Sequence, residues 1–417
     1  MTAGPGGAGH GSVLVALAAS LPWPMPIILD FSGIPRAEQA GHLAARLRSR
    51  PGIVIFYSMR DGKPTPVQVT ASGDVRAFVE RRLGGDGPRV DFSGEVAGAL
   101  ACECGSGFEA DLARAAVARV LMPGETRRAA GVLAYVHLDP GSNAPACRVV
   151  EEPTRFAARA LIGPFARRAH AEAFAAMLDA RFSLCREPAT LAGWPDAIAC
   201  SYKEMGSCPA PCDGSETMEA YRARVGLAVS FDGGKIAGVL GDYERAIKSA
   251  SASMDFEGAA GLTRERVAMA DAAGPMGSWI TTMDRFGVLA VMPTGKSGWA
   301  RIFIHRGGKS RPCGDVRASG DDPAGVAWQM TRLAMNQEPD PGRVFSADDG
   351  EAVALIYACL RTSRKIRGTM LQLDPEPSKD VLERAIRRAA SRGGAKRSTG
   401  VQQSDDGAEA DGLARGD

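Results

Sequence analysis

The chain has 417 residues, 45% of them apolar, with 50 Lys and Arg against 48 Asp and Glu for a formal net charge of +2. This length supports two to four units around separate cores, and the apolar content and charge balance exclude a disordered chain. Near-neutrality also removes overall charge as an argument for nucleic acid, so any phosphate-binding surface has to come from local clusters. Arg167, Arg168 and Arg181 form one candidate DNA-binding set, and Arg384, Arg387 and Arg388 form another; a solvated arginine face accounts for each equally well.

Nine cysteines without dense, even spacing suit a reducing compartment better than a disulfide scaffold. The uncharged stretch from Gly11 to Leu29 is broken by Pro22, Pro24 and Pro26 and is not preceded by a basic residue. It reads as a buried strand or loop, neither signal peptide nor membrane span. A cytoplasmic protein with no membrane partner is expected.

In chain order, residues 1–12 are Gly-rich and expected to be disordered. Residues 13–160 suggest an α/β domain. In it, the apolar run Ile53-Val54-Ile55-Phe56-Tyr57 has strand composition, Asp61-Gly62 marks a hairpin turn, and Val67 and Val69 lie on the returning strand. Asp74 is placed to cap a helix through Leu83, and a second helix is predicted from Phe108 to Leu121. Two further strands, Val132 to Leu138 and Cys147 to Val150, lead into a turn at Gly163-Pro164-Phe165.

Residues 161–232 form a Cys-rich helical module, with a helix from Arg167 to Phe182 that delivers the chain to Cys185, a loop over 186–199, and another helix from Ser215 to Phe231. Residues 240–272 carry two apolar stripes at helical spacing, Tyr243, Ile247, Ala250 and Met254, then Phe256, Ala260, Thr263 and Val267, as in a helical hairpin. Residues 285–392 begin a C-terminal α/β unit with paired strands at Val288 to Met292 and Ala300 to His305 and three helices after them. The tail, 393–417, is expected to be disordered. The fold class is α/β multidomain.

The most specific signal is four cysteines: Cys185, fourteen residues, Cys200, seven residues, Cys208, three residues, Cys212. Thiolates are soft ligands for zinc or an iron-sulfur cluster. Zinc ribbons use short Cys-x-x-Cys knuckles, absent here, so the loose spacing favours a cluster, with zinc as the alternative. The bland reading, unrelated buried thiols, suits Cys102, Cys104, Cys147, Cys313 and Cys359 better.

Gly163-Pro164-Phe165, Cys185, Cys200-x-Tyr202, Gly206-x-Cys208-x-x-Pro211-Cys212-x-Gly214 and Asp255-Phe256-Glu257-x-Ala259-Ala260-x-Leu262 occur in the order seen in UvrC, the incising subunit of bacterial nucleotide excision repair. The resemblance covers roughly residues 48–272. It implies that the four cysteines hold a 4Fe-4S cluster. It also implies that the hairpin resembles the UVR motif that contacts UvrB, with Tyr243, Ile247, Met254, Phe256, Glu257, Ala260, Leu262 and Arg264 as the partner-binding set. UvrC-like proteins begin with a GIY-YIG nuclease domain built on tyrosines, an arginine and a glutamate around one divalent metal.

Here Gly52-Ile53-Val54 and Pro66-Val67-Gln68 stand at the two motif positions, without the tyrosines. Arg76 matches the family arginine. Alignment on Pro123 puts Arg114 at the glutamate position, where a cation repels a divalent metal. Tyr57 and Glu109 are the substitute candidates. A degenerate GIY-YIG-like domain without incision is therefore expected, and Mg²⁺ or Mn²⁺ enters only if the nuclease is active. The C-terminal unit resembles the first strands of the family's RNase H-type nuclease, but no motif surrounds Asp284, His305 or Asp315, and the helix-hairpin-helix region of the family is not seen.

Pro293-Thr294-Gly295-Lys296-Ser297 ends like a phosphate-binding loop, yet Ala290 replaces its first glycine. The favoured function is a UvrC-like repair factor that binds DNA and a UvrB-type helicase subunit after losing incision. The alternatives are an endonuclease with rewired ligands and an iron-sulfur scaffold or redox sensor that does not act on DNA.

Overall fold

A computed structural model of the chain describes residues 27–30, 34, 36–61, 63–83, 96–122, 132–335, 342–361 and 368–393. The disorder expected for residues 1–12 and for nearly all of the tail, and the Pro123 anchor, lie outside these residues. The architecture is mixed α/β, with three four-stranded sheets.

The N-terminal sheet contains β1 (Ile27–Asp30), β2 (Gly52–Arg60), β3 (Lys63–Ser72) and β4 (Gly98–Glu103) in the order β1-β4-β2-β3, antiparallel throughout. The apolar run of β2 is continuous because both faces of the sheet are covered. Val54 and Phe56 point to the side of Leu47, Val75 and Val79, beneath α1 (Arg36–Arg46) and α2 (Val75–Leu83). Ile53 and Ile55 point the other way, to Ala110, Ala113 and Val117 of α3 (Gly107–Leu121). Asp74 accepts from the Ala77 amide at 3.0 Å and Ser106 caps α3 through the Glu109 amide at 3.1 Å, as short polar residues do at helix starts.

The middle sheet contains β5 (Ala134–His137), β6 (Arg148–Val150), β7 (Leu161–Phe165) and β8 (Thr281–Thr282), ordered β6-β5-β7-β8. This corrects two expectations. Gly163-Pro164-Phe165 is strand, not turn, and the boundary set at 160 would cut a single sheet, since β5 pairs with both β6 and β7. Helix α4 (Arg168–Arg181) covers the sheet, with Phe165 and Phe174 rings 5.2 Å apart. The cysteine segment follows, with α5 (Pro188–Leu191), α6 (Ser201–Glu204) and then α7 (Met218–Val229).

The predicted helical hairpin is formed by α8 (Ile236–Ala252) and α9 (Phe256–Ala273). Its chain leaves and re-enters the middle domain, because β8 beyond it pairs with β7 at Ile162↔Thr282. Gly233 sits at its base, where a Cβ would stand 1.6 Å from the Gly277 carbonyl oxygen, so only glycine allows the two 3-10 turns of the base to touch. Ile236, Val239, Met269, Ala272 and Ala273 sink into the middle-domain core.

The C-terminal sheet contains β9 (Val288–Pro293), β10 (Trp299–Arg306), β11 (Lys309–Arg317) and β12 (Thr369–Gln372) in the order β11-β10-β9-β12. The expected β9–β10 pair is present, β11 extends it into a meander, and β12 joins β9 antiparallel. One face packs on α10 (Pro323–Met335) and α12 (Lys379–Ser391). The other packs with α11 (Ala347–Arg361) against Phe108 of the first domain and Tyr135 and Leu161 of the middle one. The middle and C-terminal sheets thus share one apolar junction, which the first domain joins through Phe108 and Leu112 of α3.

Candidate thiol site and helical hairpin

Cys185 follows α4 through a tight turn in which Ser183 adopts φ +48° and the Leu184 amide donates to the Asp179 carbonyl at 3.0 Å. Its own amide donates to the Tyr221 hydroxyl at 3.1 Å, and its thiol donates to the Glu187 carbonyl at 3.5 Å. Cys200 opens α6, Cys208 donates its amide to the Tyr202 carbonyl at 3.1 Å, and the Cys212 carbonyl accepts from the Ala197 amide at 3.1 Å. Gly206, Ala210 and Gly214 all have positive φ, which folds this segment back on itself. Lys203 clamps the fold by donating to Asp213 and to Ser215 at 2.7 Å.

Cys185, Cys208 and Cys212 are buried and Cys200 is half-buried. Burial pushes the Cys185 thiol up to about 11, and Cys208, Cys212 and Cys200 add to the rise. Cys212 is raised by burial first, then by Asp213, Cys200 and Cys208. Cys185 and Cys212 therefore each lie within electrostatic range of the other three thiols. Among the described residues, however, no three His, Cys, Asp or Glu side chains are gathered closely enough to hold a single metal ion. None of the nine cysteines forms a disulfide, and Cys102, Cys104 and Cys359 are buried in apolar surroundings, as the bland reading expects.

On the hairpin, Met254 is 78% exposed and Phe256 69% exposed at the tip, with Met254 at φ +59° and Asp255 capping α9 by accepting from the Gly258 amide at 2.9 Å. Glu257, Ala260 and Arg264 are also exposed. Tyr243, Ile247 and Leu262 are half-buried; Tyr243 is raised by burial and by the Glu265 carboxylate to which it is hydrogen-bonded on the opposite helix. Arg266 and Glu244 pair across the hairpin at 2.8 Å.

The three arginines proposed for DNA turn toward carboxylates. Arg181 meets Asp242 of α8 at 2.8 Å, Arg167 lies 3.8 Å from Asp271 of α9, and Arg168 meets Glu172 at 2.8 Å. Two of the three thus tie α4 to the hairpin, and Arg181 holds the Asp242 carboxyl below the usual carboxylate range.

In the first domain, Arg76 is exposed and paired with Glu80 at 3.2 Å, Tyr57 is buried in β2, and Glu109 is 2% exposed. Arg76 rides on α2 and Glu109 on α3, which cover opposite faces of the sheet, so the structure does not bring them together. Glu109 accepts from the Gly105 amide at 2.8 Å and is ion-paired with Arg301 of β10, which also grips Asp315 with 2.6 and 2.9 Å bonds. Arg114 stands 3.9 Å from Glu351.

Two of the three C-terminal candidates are equally committed, while, among the described residues, Asp284 accepts only from the adjacent Arg285 amide at 3.0 Å. Asp315 belongs to Arg301, and His305 is buried against Ser310 at 2.9 Å, its pKa held down to about 4 by burial. The phosphate-loop look-alike is the β9–β10 connection, with a strand after it instead of a helix, and Arg50 donates to its Gly295 carbonyl at 3.1 Å. Sequence reasoning missed Tyr221 and Arg301. A buried tyrosine within the Tyr221, Val225 and Ala228 stripe of α7 was readable as core, but nothing in the sequence announced which distant groups either side chain reaches.

Residues 133–231 match the family model of the UvrC/Cho excinuclease middle domain. That segment contains all four cysteines, and the chain is UvrC-like through it; the hairpin lies beyond the match. The chain is similar to the UvrABC system protein C of Maricaulis maris, 28% identical over 177 residues, which cover 40% of this chain and 27% of that protein. It is similar also to the UvrABC system protein C of Moorella thermoacetica, 23% identical over 177 residues, covering 42% of this chain and 28% of that protein. The chain thus spans less than a third of the length of these relatives, and no solved structure matches it. No described helix is long and apolar enough to cross a membrane.

Proposed function

We propose that the chain is a nucleotide excision repair factor of UvrC type that docks a UvrB-type helicase subunit through the α8–α9 hairpin, binds DNA, and does not itself incise. One observation carries the reading: Met254 and Phe256 are large apolar side chains held in solvent at the tip of a helix pair whose base is rooted in the UvrC-like domain. Leaving such groups in water forfeits burial free energy, which a partner surface recovers. The loss of incision is supported by Arg76 and Glu109 lying on opposite sheet faces and by the Arg301 cation seated on Glu109.

Cys185, Cys200, Cys208 and Cys212 are the residues that would hold a 4Fe-4S cluster. Four soft donors from a segment poor in regular structure fit such a group. A zinc ion would draw the sulfurs to within about 4 Å of one another, given Zn–S bonds of about 2.3 Å. A wider set of thiols suits a cluster better, because each sulfur binds a different iron. When bound, the cluster supplies a cross-link between the end of α4 and the 200–212 segment.

Pull-down with a UvrB-type protein tests the docking: binding that Phe256→Ala weakens at least tenfold is expected, and binding untouched by that change removes the hairpin argument. Incubation with damaged duplex and Mg²⁺ or Mn²⁺ tests the rest. Strand cleavage by the purified chain would overturn the reading in favour of a working endonuclease.

A further inference from the structure

The two halves of the thiol site are held in different ways. Cys200, Cys208 and Cys212 lie on a segment closed upon itself, through the Ala197 amide on the Cys212 carbonyl and the Cys208 amide on the Tyr202 carbonyl, both at 3.1 Å. Cys185 stands outside that closure and is held by α7. Tyr221, fully buried, donates its hydroxyl hydrogen to the Pro145 carbonyl at 2.5 Å and accepts from the Cys185 amide at 3.1 Å. One turn further along α7, Arg224 donates to the Ser183 carbonyl at 3.3 Å. Its guanidinium is fixed in turn by Glu216, at 2.8 Å to Oε2, and lies 5.3 Å from the centre of the Tyr221 ring.

Both ends of Ser183-Leu184-Cys185 are therefore pinned to one helix face, and the residue at the start of the turn occupies the left-handed region that a serine enters only under constraint. A tyrosine hydroxyl can be buried at low cost only when its donor and acceptor sides are both used, and here both go to backbone around the first thiol.

We propose that Tyr221 and Arg224 are positioning residues of the thiol site, setting where the Cys185 sulfur stands relative to the self-closed trio. The proposal rests on the reading of the four thiols as one metal centre. Partners that orient ligands from behind in this way typically change metal retention by about 10- to 100-fold.

The test uses the full chain purified without oxygen, and follows iron release to an excess of a chelator by absorbance. Tyr221→Phe, which removes one oxygen, and Arg224→Lys, which keeps the charge and loses the fork, are expected to release iron about tenfold faster than the unaltered chain, with far-UV circular dichroism unchanged. Tyr357→Phe makes the same deletion at a tyrosine bonded to the Ala166 backbone, outside the thiol site, and is expected to leave the rate unchanged. Release rates of both variants within twofold of the unaltered chain overturn the proposal, even if their melting temperatures fall, because lost packing alone lowers stability without touching retention. If the unaltered chain carries no metal and Cys208→Ser matches it in every respect, the metal reading fails and this inference falls with it.

Discussion

Four thiols in the middle domain come from one short stretch, with Cys185 and Cys212 each in electrostatic range of the other three, whereas Arg76, Tyr57 and Glu109 of the first domain come from three elements and are spread over two sheet faces. The surroundings differ in the same sense. Around Cys185 the partners are neutral backbone groups and a tyrosine hydroxyl, which hold a ligand without consuming it. Around Glu109 the partner is a cation from another domain, which neutralises the one charge a metal would need. A buried carboxylate paired with arginine is a structural tie.

The largest test of this contrast is Cys208→Ser. Metal content is expected to fall to background and the melting temperature to drop by on the order of 10 °C, since ligation supplies order that the short helices α5 and α6 cannot. Unchanged values in both would refute a metal role.

Next comes Arg301→Ala, which leaves the buried Glu109 charge with only the Gly105 amide. Removing one partner of a buried pair costs about 3 kcal/mol or more. Urea unfolding that shows less than about 1 kcal/mol of loss would mean that Glu109 is available after all, and would reopen the case for a metal in the first domain.

A pH series sharpens the comparison at the junction. Burial holds folded His305 down to about 4 against an ordinary 6.5. Below pH 6.5 the unfolded chain takes up a proton that the folded chain refuses, so stability contributed at neutral pH is lost progressively toward pH 4, by about 1.4 kcal/mol per unit. Asp179, raised to about 6 by burial, works in the opposite direction over part of this window. The measurement is therefore the difference between the unaltered chain and His305→Gln, which should shrink steadily with acid; a constant difference rejects the assignment.

The smallest effects are expected at the surface arginines. Arg76→Ala breaks one exposed pair and should change stability by less than about 0.5 kcal/mol. Arg181→Ala should be similarly mild, and a drop of about one in the salt slope of DNA binding would recast it as a phosphate contact instead of a tie to Asp242.

Local patterns were legible wherever neighbours in sequence are neighbours in space. The β2–β3 hairpin, the Asp74 helix start, the helix from Phe108, the α8–α9 pair and the β9–β10 pair all follow from periodicity and turn chemistry. Elements without such a signal escaped: α1, β4 and β11 were not anticipated, and Gly163-Pro164-Phe165 was misread because glycine and proline mark turns until a partner strand pairs with them.

The thiol spacing and the placement of Met254 and Phe256 between two helical stripes belong to the amino-acid order alone, because each depends on residue identity over a few positions. Which face of the sheet Arg76 and Glu109 occupy, that Arg301 reaches Glu109, and that Tyr221 holds the Cys185 amide were decided only by tertiary packing. Those contacts join residues tens to hundreds of positions apart, and their geometry is set by how the middle and C-terminal sheets and helix α3 of the first domain bury one shared junction, which no local pattern encodes.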